Sequence, residues 1–259
     1  MVNEADCCAA LPDTDLLLSV IADVSSIAME NGAEVYRAEE MCERIATTLG
    51  ATSINVLAIP TALCISLEMP GQQRRATICR VKSRSIRLDV LDRANSISRH
   101  IVEGSMTLEE ANEALQSLRR MPSNPLLKTM LCAGGSAGFF AMLYGGGWTE
   151  FFCALIAGFL AHLAMHLIGQ VDSSQLIKTL VGSFIAAAIA GLLKMRLPQL
   201  DESLAIIGAI MPMLPGLAVT NAIRDMMHGD LLSGNARLFE GMLTACAIAA
   251  GVILALNLV

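Results

Sequence analysis

Residues 210–225 read IMPMLPGLAVTNAIRD. The stretch is apolar enough to be buried. Yet it carries Pro212 and Pro215, Gly216 directly after, and then Asn221, Arg224 and Asp225. Proline has no N–H, so Pro212 cannot donate to the Gly208 carbonyl, nor Pro215 to that of Met211. In lipid an unpaired backbone group costs several kcal/mol, so such a break survives only where protein or a water-filled cavity receives it. Two readings are open: a proline kink used for packing, and a discontinuous helix that lines a substrate path. The polar residues that follow, with Asp230 and Arg237 closing the loop, favour the second.

The surroundings are apolar too. The chain has 259 residues, 54% hydrophobic and 16% charged, low for a soluble protein of this size. Residues 1–120 hold 12 of the 18 Lys and Arg and 17 of the 24 Asp and Glu. The remainder is mostly oil. A crossing helix needs about 20 predominantly apolar residues. Five segments qualify: 126–144, 151–168, 176–193, 204–223 and 238–259. They show almost no polar face, which argues against a soluble bundle. The expected fold is therefore a five-helix transmembrane domain over 122–259, preceded by a small α+β cytoplasmic domain over 1–121.

Basic residues set the expected orientation. With the N-terminus inside, Arg119, Arg120, Lys128, Lys178, Arg224 and Arg237 fall at cytoplasmic ends, and only Lys194 and Arg196 outside. Five spans leave the C-terminus extracytoplasmic. The acidic start, with Glu4, Asp6, Asp13 and Asp15, lacks the basic region of a secretory signal. Small residues form ridges at Gly134/Gly138, Gly182/Ala186/Ala190 and Gly241/Ala245/Ala249. Such ridges permit close helix contact, either within the chain or with a second subunit.

Other polar groups in the spans are few. His162 and His166 stand four apart, and packing, proton relay, substrate contact and metal binding all remain open. Glu150 beside Trp148 is either an interfacial anchor or part of the outer mouth. Adjacent Cys7 and Cys8 and the scattered remaining cysteines show no metal or disulfide spacing and read as reduced structural thiols.

In the first half, helical spacing over 14–30 is followed by a second helix from about residue 33 to Gly50. Three strand-like runs follow (TSINVLAI, ALCISLEM and RATICRV), separated by Pro60 and by Pro70–Gly71. Two helices are expected at 88–103 and 108–120, the latter opened by the capping box Thr107/Glu110. Arg74, Arg75, Arg80, Lys82, Arg84 and Arg87 form either a solvated hairpin face or an anion-binding patch. Glu34 and Arg37 have the spacing of a helical ion pair. No ATP-binding, dinucleotide, zinc or hydrolase motif is present, so no cofactor or metal, no enzyme activity and no nucleic-acid partner is expected.

The run NGAEVYRAEE (31–40), the stretch 80–115, GGGWTEF (145–151) and MPMLPGLAVTNAIRDMMHGDLLSGNAR (211–237) together resemble the threonine/serine exporter family. The resemblance extends over about residues 16–258 and is closer to the larger, YjjP-type subunit of the split form. It implies a secondary exporter in the plasma (inner) membrane, with threonine, serine or succinate-like substrates. It also implies a smaller YjjB-type membrane subunit as partner, and higher oligomers are possible. It marks Pro215, Gly216, Asn221, Arg224, Asp225, Gly229, Asp230, Gly234 and Arg237 in the membrane half, and Gly32, Ala33 and Glu34 in the soluble half. Fused members have about ten spans, so five here suggest one half of an inverted pair. The competing reading is a membrane-anchored enzyme or ligand sensor.

Overall fold

The structure is a computed structural model that describes residues 13–81, 85–171 and 174–258. Cys7, Cys8, Glu4, Asp6, Lys82 and Arg84 lie outside the described residues. The fold is mostly helical with one small sheet. It divides into two units: residues 1–122 with 220–238, and residues 123–219 with 239–259.

In the first unit α1 (Thr14–Glu30) is the central helix, buried along most of its length. Around it pack α2 (Val35–Thr48), α3 (Leu88–Val102) and α4 (Leu108–Arg119). The sheet β1 (Ser53–Ile59), β2 (Ala62–Glu68) and β3 (Arg75–Arg80) is an antiparallel meander in that order. The period-2 pattern has a visible consequence: Leu63, Ile65 and Leu67 of β2 all face the core. The capping box at Thr107 and Glu110 forms as expected. Among the described residues the six cysteines are free. Burial pushes the Cys42 thiol up to about 12, which keeps it protonated and inert.

The hairpin arginines are not a free patch. Arg74 pairs with Glu68 at 3.0 Å and Arg75 with Asp15 at 3.8 Å. Arg87 pairs with Asp89 at 2.8 Å and donates to the Met121 and Pro122 carbonyls, tying the start of α3 to the end of α4.

The second unit contains α5 (Leu126–Leu143), α6 (Trp148–Val171), α7 (Gln175–Arg196) and α8 (Glu202–Ile210). A 3-10 turn, Met211–Met213, separates α8 from α9 (Gly216–Met227), and α10 (Leu231–Leu256) follows. Among the described residues four helices are long and apolar enough to cross a membrane, or five if the pair Glu202–Met213 and Gly216–Met227, bent by 54°, is one crossing.

Packing here is by backbone approach. A Cβ on Gly134 would lie 2.8 Å from the Leu155 carbonyl, and one on Gly138 2.9 Å from the Phe151 ring. The Gly134/Gly138 ridge therefore packs α5 on α6 inside the chain. Gly208 of α8 sits equally close to the α5 backbone, 2.7 Å from the Ala137 carbonyl to a Cβ. In lipid, where burial alone gives helices little reason to meet, these contacts supply the attraction. Of the last ridge, Gly241 meets Val219, whereas Ala245 and Ala249 are exposed.

Two charged residues fasten the loops. Glu150 is buried; its Oε2 accepts the Gly147 N–H at 2.7 Å and its Oε1 the Asp201 N–H at 3.0 Å. Asp201 in turn caps α8 by accepting from Ser203 and Leu204. Glu150 thus joins the α5–α6 turn to the α7–α8 turn. Lys194 donates to the carbonyls of Pro198 and Leu200 in that second turn.

Glu150→Ala removes an acceptor from two backbone N–H groups. The expected cost is about 2–4 kcal/mol, read as a lowered melting temperature of the purified chain in detergent. Glu150→Gln, which keeps one acceptor oxygen, is expected to lose less.

Candidate functional site

The break at 211–215 leaves fewer bare carbonyls than its prolines imply. The Met211 carbonyl accepts the Leu214 N–H at 3.2 Å, because the chain tightens into a 3-10 turn there. Beyond the break, α9 carries Asn221, Arg224 and Asp225, then His228 at its end: spacing that puts all four along one helical stripe. The long polar loop expected over 224–237 is short, since α9 runs to Met227 and α10 begins at Leu231. Gly229, at φ +97°, turns the chain, and the Asp230 N–H returns to the Asp225 carbonyl at 3.0 Å. This is a helix-ending motif that favours glycine at the left-handed position. Gly234 then lets α10 cross α9 closely; a Cβ there would lie 2.8 Å from the Ala222 carbonyl. That crossing brings Arg237 of α10 opposite Asp225 of α9.

The end of α1 is built the same way. Gly32 has φ +104°, and the Ala33 N–H returns to the Ala28 carbonyl at 3.0 Å. The turn directs the Gly32 and Ala33 carbonyls outward and starts α2 at once.

These two helix junctions, far apart in sequence, dock on each other. Asn221 Nδ2 donates to the Gly32 carbonyl at 3.0 Å. Arg237 Nη2 donates to the Ala33 carbonyl at 2.8 Å. Arg224 pairs with Glu34, which also meets Arg37 at 3.5 Å. The Val35 N–H donates to Asp225 Oδ1 at 3.1 Å, while Asp225 Oδ2 lies 3.4 Å from Arg237 Nε. Tyr36 and His228 stack with ring centroids 3.9 Å apart and planes 2° from parallel.

The electrostatics follow from the elements. Val35 is the first residue of α2, whose preceding Glu34 gives no side-chain cap. The N–H groups at a helix start lack internal partners and attract negative charge. Asp225 supplies that charge from another element. Its carboxylate is fully buried and Arg237 nearly so, with side chains 0% and 9% exposed. Glu39, one turn along α2, is half-buried and accepts the Ala58 N–H at 2.7 Å. Burial pushes its pKa up, against that hydrogen bond, and the neighbouring Asp230 and Glu43 push it further.

Of the residues singled out from sequence, the structure brings together Gly32, Glu34, Arg37, Asn221, Arg224, Asp225 and Arg237. Pro212, Pro215 and Gly216 form the break itself. His162 and His166 lie elsewhere, on α6, where His166 pairs with Gln170 at 3.3 Å. Among the described residues no three His, Cys, Asp or Glu side chains form a metal-sized cluster. Glu150 belongs to the loop fastening described above. Sequence reasoning missed Tyr36 and His228. Spacing on α9 put His228 on the polar stripe, but nothing local tied it to Tyr36.

A family model described as "Putative threonine/serine exporter" matches residues 19–259. The chain belongs to the threonine/serine exporter family. Within it, the "Probable succinate transporter subunit YjjP" of Klebsiella aerogenes is 25% identical over 239 residues, 89% of either chain. The protein of that description in Escherichia coli K12 is 26% identical over 235 residues, 89% of this chain and 90% of that one. A "Probable threonine/serine exporter" of Mycobacterium tuberculosis is 23% identical over 249 residues, 94% of this chain but 46% of its own length. These relatives are named as transporters or exporters, not as enzymes. No solved structure matches the chain. The family match spans both units, including the two helix junctions that dock on each other and together form a polar clasp.

Asp225→Ala leaves the buried Arg237 without its ion pair and uncaps α2. The expected loss is about 3–5 kcal/mol in detergent unfolding, and Asp225→Asn, which keeps an acceptor for Val35, should fall between. Glu39 carries a raised pKa, so the stability it contributes is full at low pH and is lost as pH rises from the ordinary carboxylate range through its higher folded value. Glu39→Gln is therefore expected to raise the melting temperature at neutral pH and to have no effect in acid.

Proposed function

We propose that the chain is the larger membrane subunit of a secondary-type exporter of small polar metabolites. The substrates are threonine/serine-type amino acids or succinate-like dicarboxylates. It works with a smaller YjjB-type membrane subunit in the plasma (inner) membrane. In this reading residues 1–121 form a cytoplasmic domain and 122–259 five crossings, with the C-terminus outside. Support for the orientation comes from the basic residues; support for the partner comes from the word "subunit" in the names of the two YjjP relatives.

The observation that carries the reading is the apolar helix pair interrupted at a 3-10 turn and followed within one helix by Asn221, Arg224 and Asp225. Those side chains hold the turn before α2 through polar contacts, which a substrate carboxylate can exchange. Arg224 is the cytoplasmic attractant for a substrate carboxylate, and Glu34 holds it until substrate arrives. The carboxylate displaces Glu34, the clasp opens, and Asn221 receives the polar groups of the substrate. A proton gradient would be coupled through Asp225 or through the His162/His166 face of α6.

Proteoliposome flux of labelled serine, threonine and succinate, with and without the small subunit, tests this. Export is expected only with both subunits. Arg224→Ala is expected to lower it at least about tenfold, the effect of losing one charge-assisted contact. The exchanged pair Glu34→Arg with Arg224→Glu is expected to restore clasp stability but not flux. Full flux from Arg224→Ala would overturn the entrance role.

A further inference from the structure

A cleft of about 410 Å³ opens between α2 and α3 in the first unit. α2 lines it with Arg37, Glu40 and Arg44, and α3 with Asp92, Asn95 and Arg99. Each set has spacing i, i+3, i+7, so each is one face of its helix. Both helices bury their apolar faces in the core, and these two polar stripes face each other across the solvent-open side of the cleft. The charges are underused. Among the described residues Asp92, Asn95 and Arg99 have no side-chain hydrogen bond or ion pair. Glu40 and Arg44 meet only loosely, at 3.8 Å. Asn95 is half-buried, so its amide is partly removed from water and still unmatched.

We infer that this cleft binds a zwitterionic α-amino acid, at a site distinct from the clasp and the broken helix. Three guanidinium groups offer paired donors for a carboxylate. Glu40 and Asp92 face the same space and suit an ammonium group. A dicarboxylate would set its second charge against those two carboxylates, so the cleft selects against it. The inference rests on these side chains and not on the export reading.

The site is wired to the clasp. Arg37 Nε donates to the Tyr36 hydroxyl at 3.3 Å and meets Glu34 at 3.5 Å. Tyr36 stacks on His228, and Glu34 holds Arg224. An amino-acid carboxylate that draws Arg37 away leaves Glu34 to Arg224 alone. Occupancy of the cleft therefore tightens the clasp.

The test is hydrogen–deuterium exchange of the full-length chain in lipid nanodiscs, with L-threonine and with succinate as probes. Millimolar L-threonine is expected to slow amide exchange over residues 35–48 and 88–102, because a ligand bridging two helices opposes their local opening. Succinate is expected to do so much less. Arg44→Ala and Arg99→Ala, which leave the clasp contacts in place, should each weaken the threonine response about tenfold. Arg44→Lys, which keeps the charge, should retain part of it. The inference is overturned by unchanged exchange in both helices, by alanine variants that respond like the parent, or by succinate protection equal to that of threonine. Loss of liposome flux with this protection intact would strike the export reading and leave the cleft standing.

Discussion

The carboxylate of Asp225 is fully buried, and the elements around it are arranged to tolerate that. One oxygen takes the first N–H of α2; the other faces the guanidinium of Arg237. A lone buried charge would be very costly, and pairing it offsets that cost. Bringing its partners into place constrains three elements at once. α2 must begin at residue 35, α9 must present residue 225 toward it, and α10 must cross α9 closely enough for residue 237 to arrive. Gly32, Gly229 and Gly234 each permit one of those conditions. The interaction is therefore better understood as a device that specifies geometry than as a source of stability.

A contact of this kind also suits a part that has to move. Its members sit on the segment that joins the broken helix to the last one, and they are polar rather than interlocked apolar side chains. Polar pairs can exchange one partner for another of similar charge, whereas a packed core cannot be opened without exposing surface. Glu34 already divides its charge between Arg37 and Arg224. The helices of the second unit are held differently, by glycine and alanine contacts at backbone distance and by Glu150 across two turns. That division of labour places rigid packing in one unit and exchangeable charge in the other.

Much of the fold was legible. The helices of the first half, the three strands and the four unbroken apolar segments follow periodicities of 3.6 and 2 and a length set by the bilayer, all local properties. The ends of the last loop were not. LLSGNAR looks like a polar connection, but it is the first part of α10, because Gly234 and Arg237 find partners on α9 and in the turn between α1 and α2 that local reading does not contain. Met211 was read as a bare carbonyl because the proline rule counts missing donors and does not foresee that a 3-10 turn supplies another. Glu150, read as an anchor or mouth residue, takes its partner from a turn fifty residues away.

The sequence alone determined where the chain is apolar, where it breaks, and which charged residues the apolar half retains, since composition and spacing are written in the chain itself. Which of those charges meet was decided by tertiary structure alone. Asn221, Arg224, Asp225 and Arg237 read as one motif and Gly32, Glu34 and Arg37 as another. They became a single site only when two helix junctions closed on each other, because pairing across such a separation depends on the paths of whole helices and leaves no trace in local pattern.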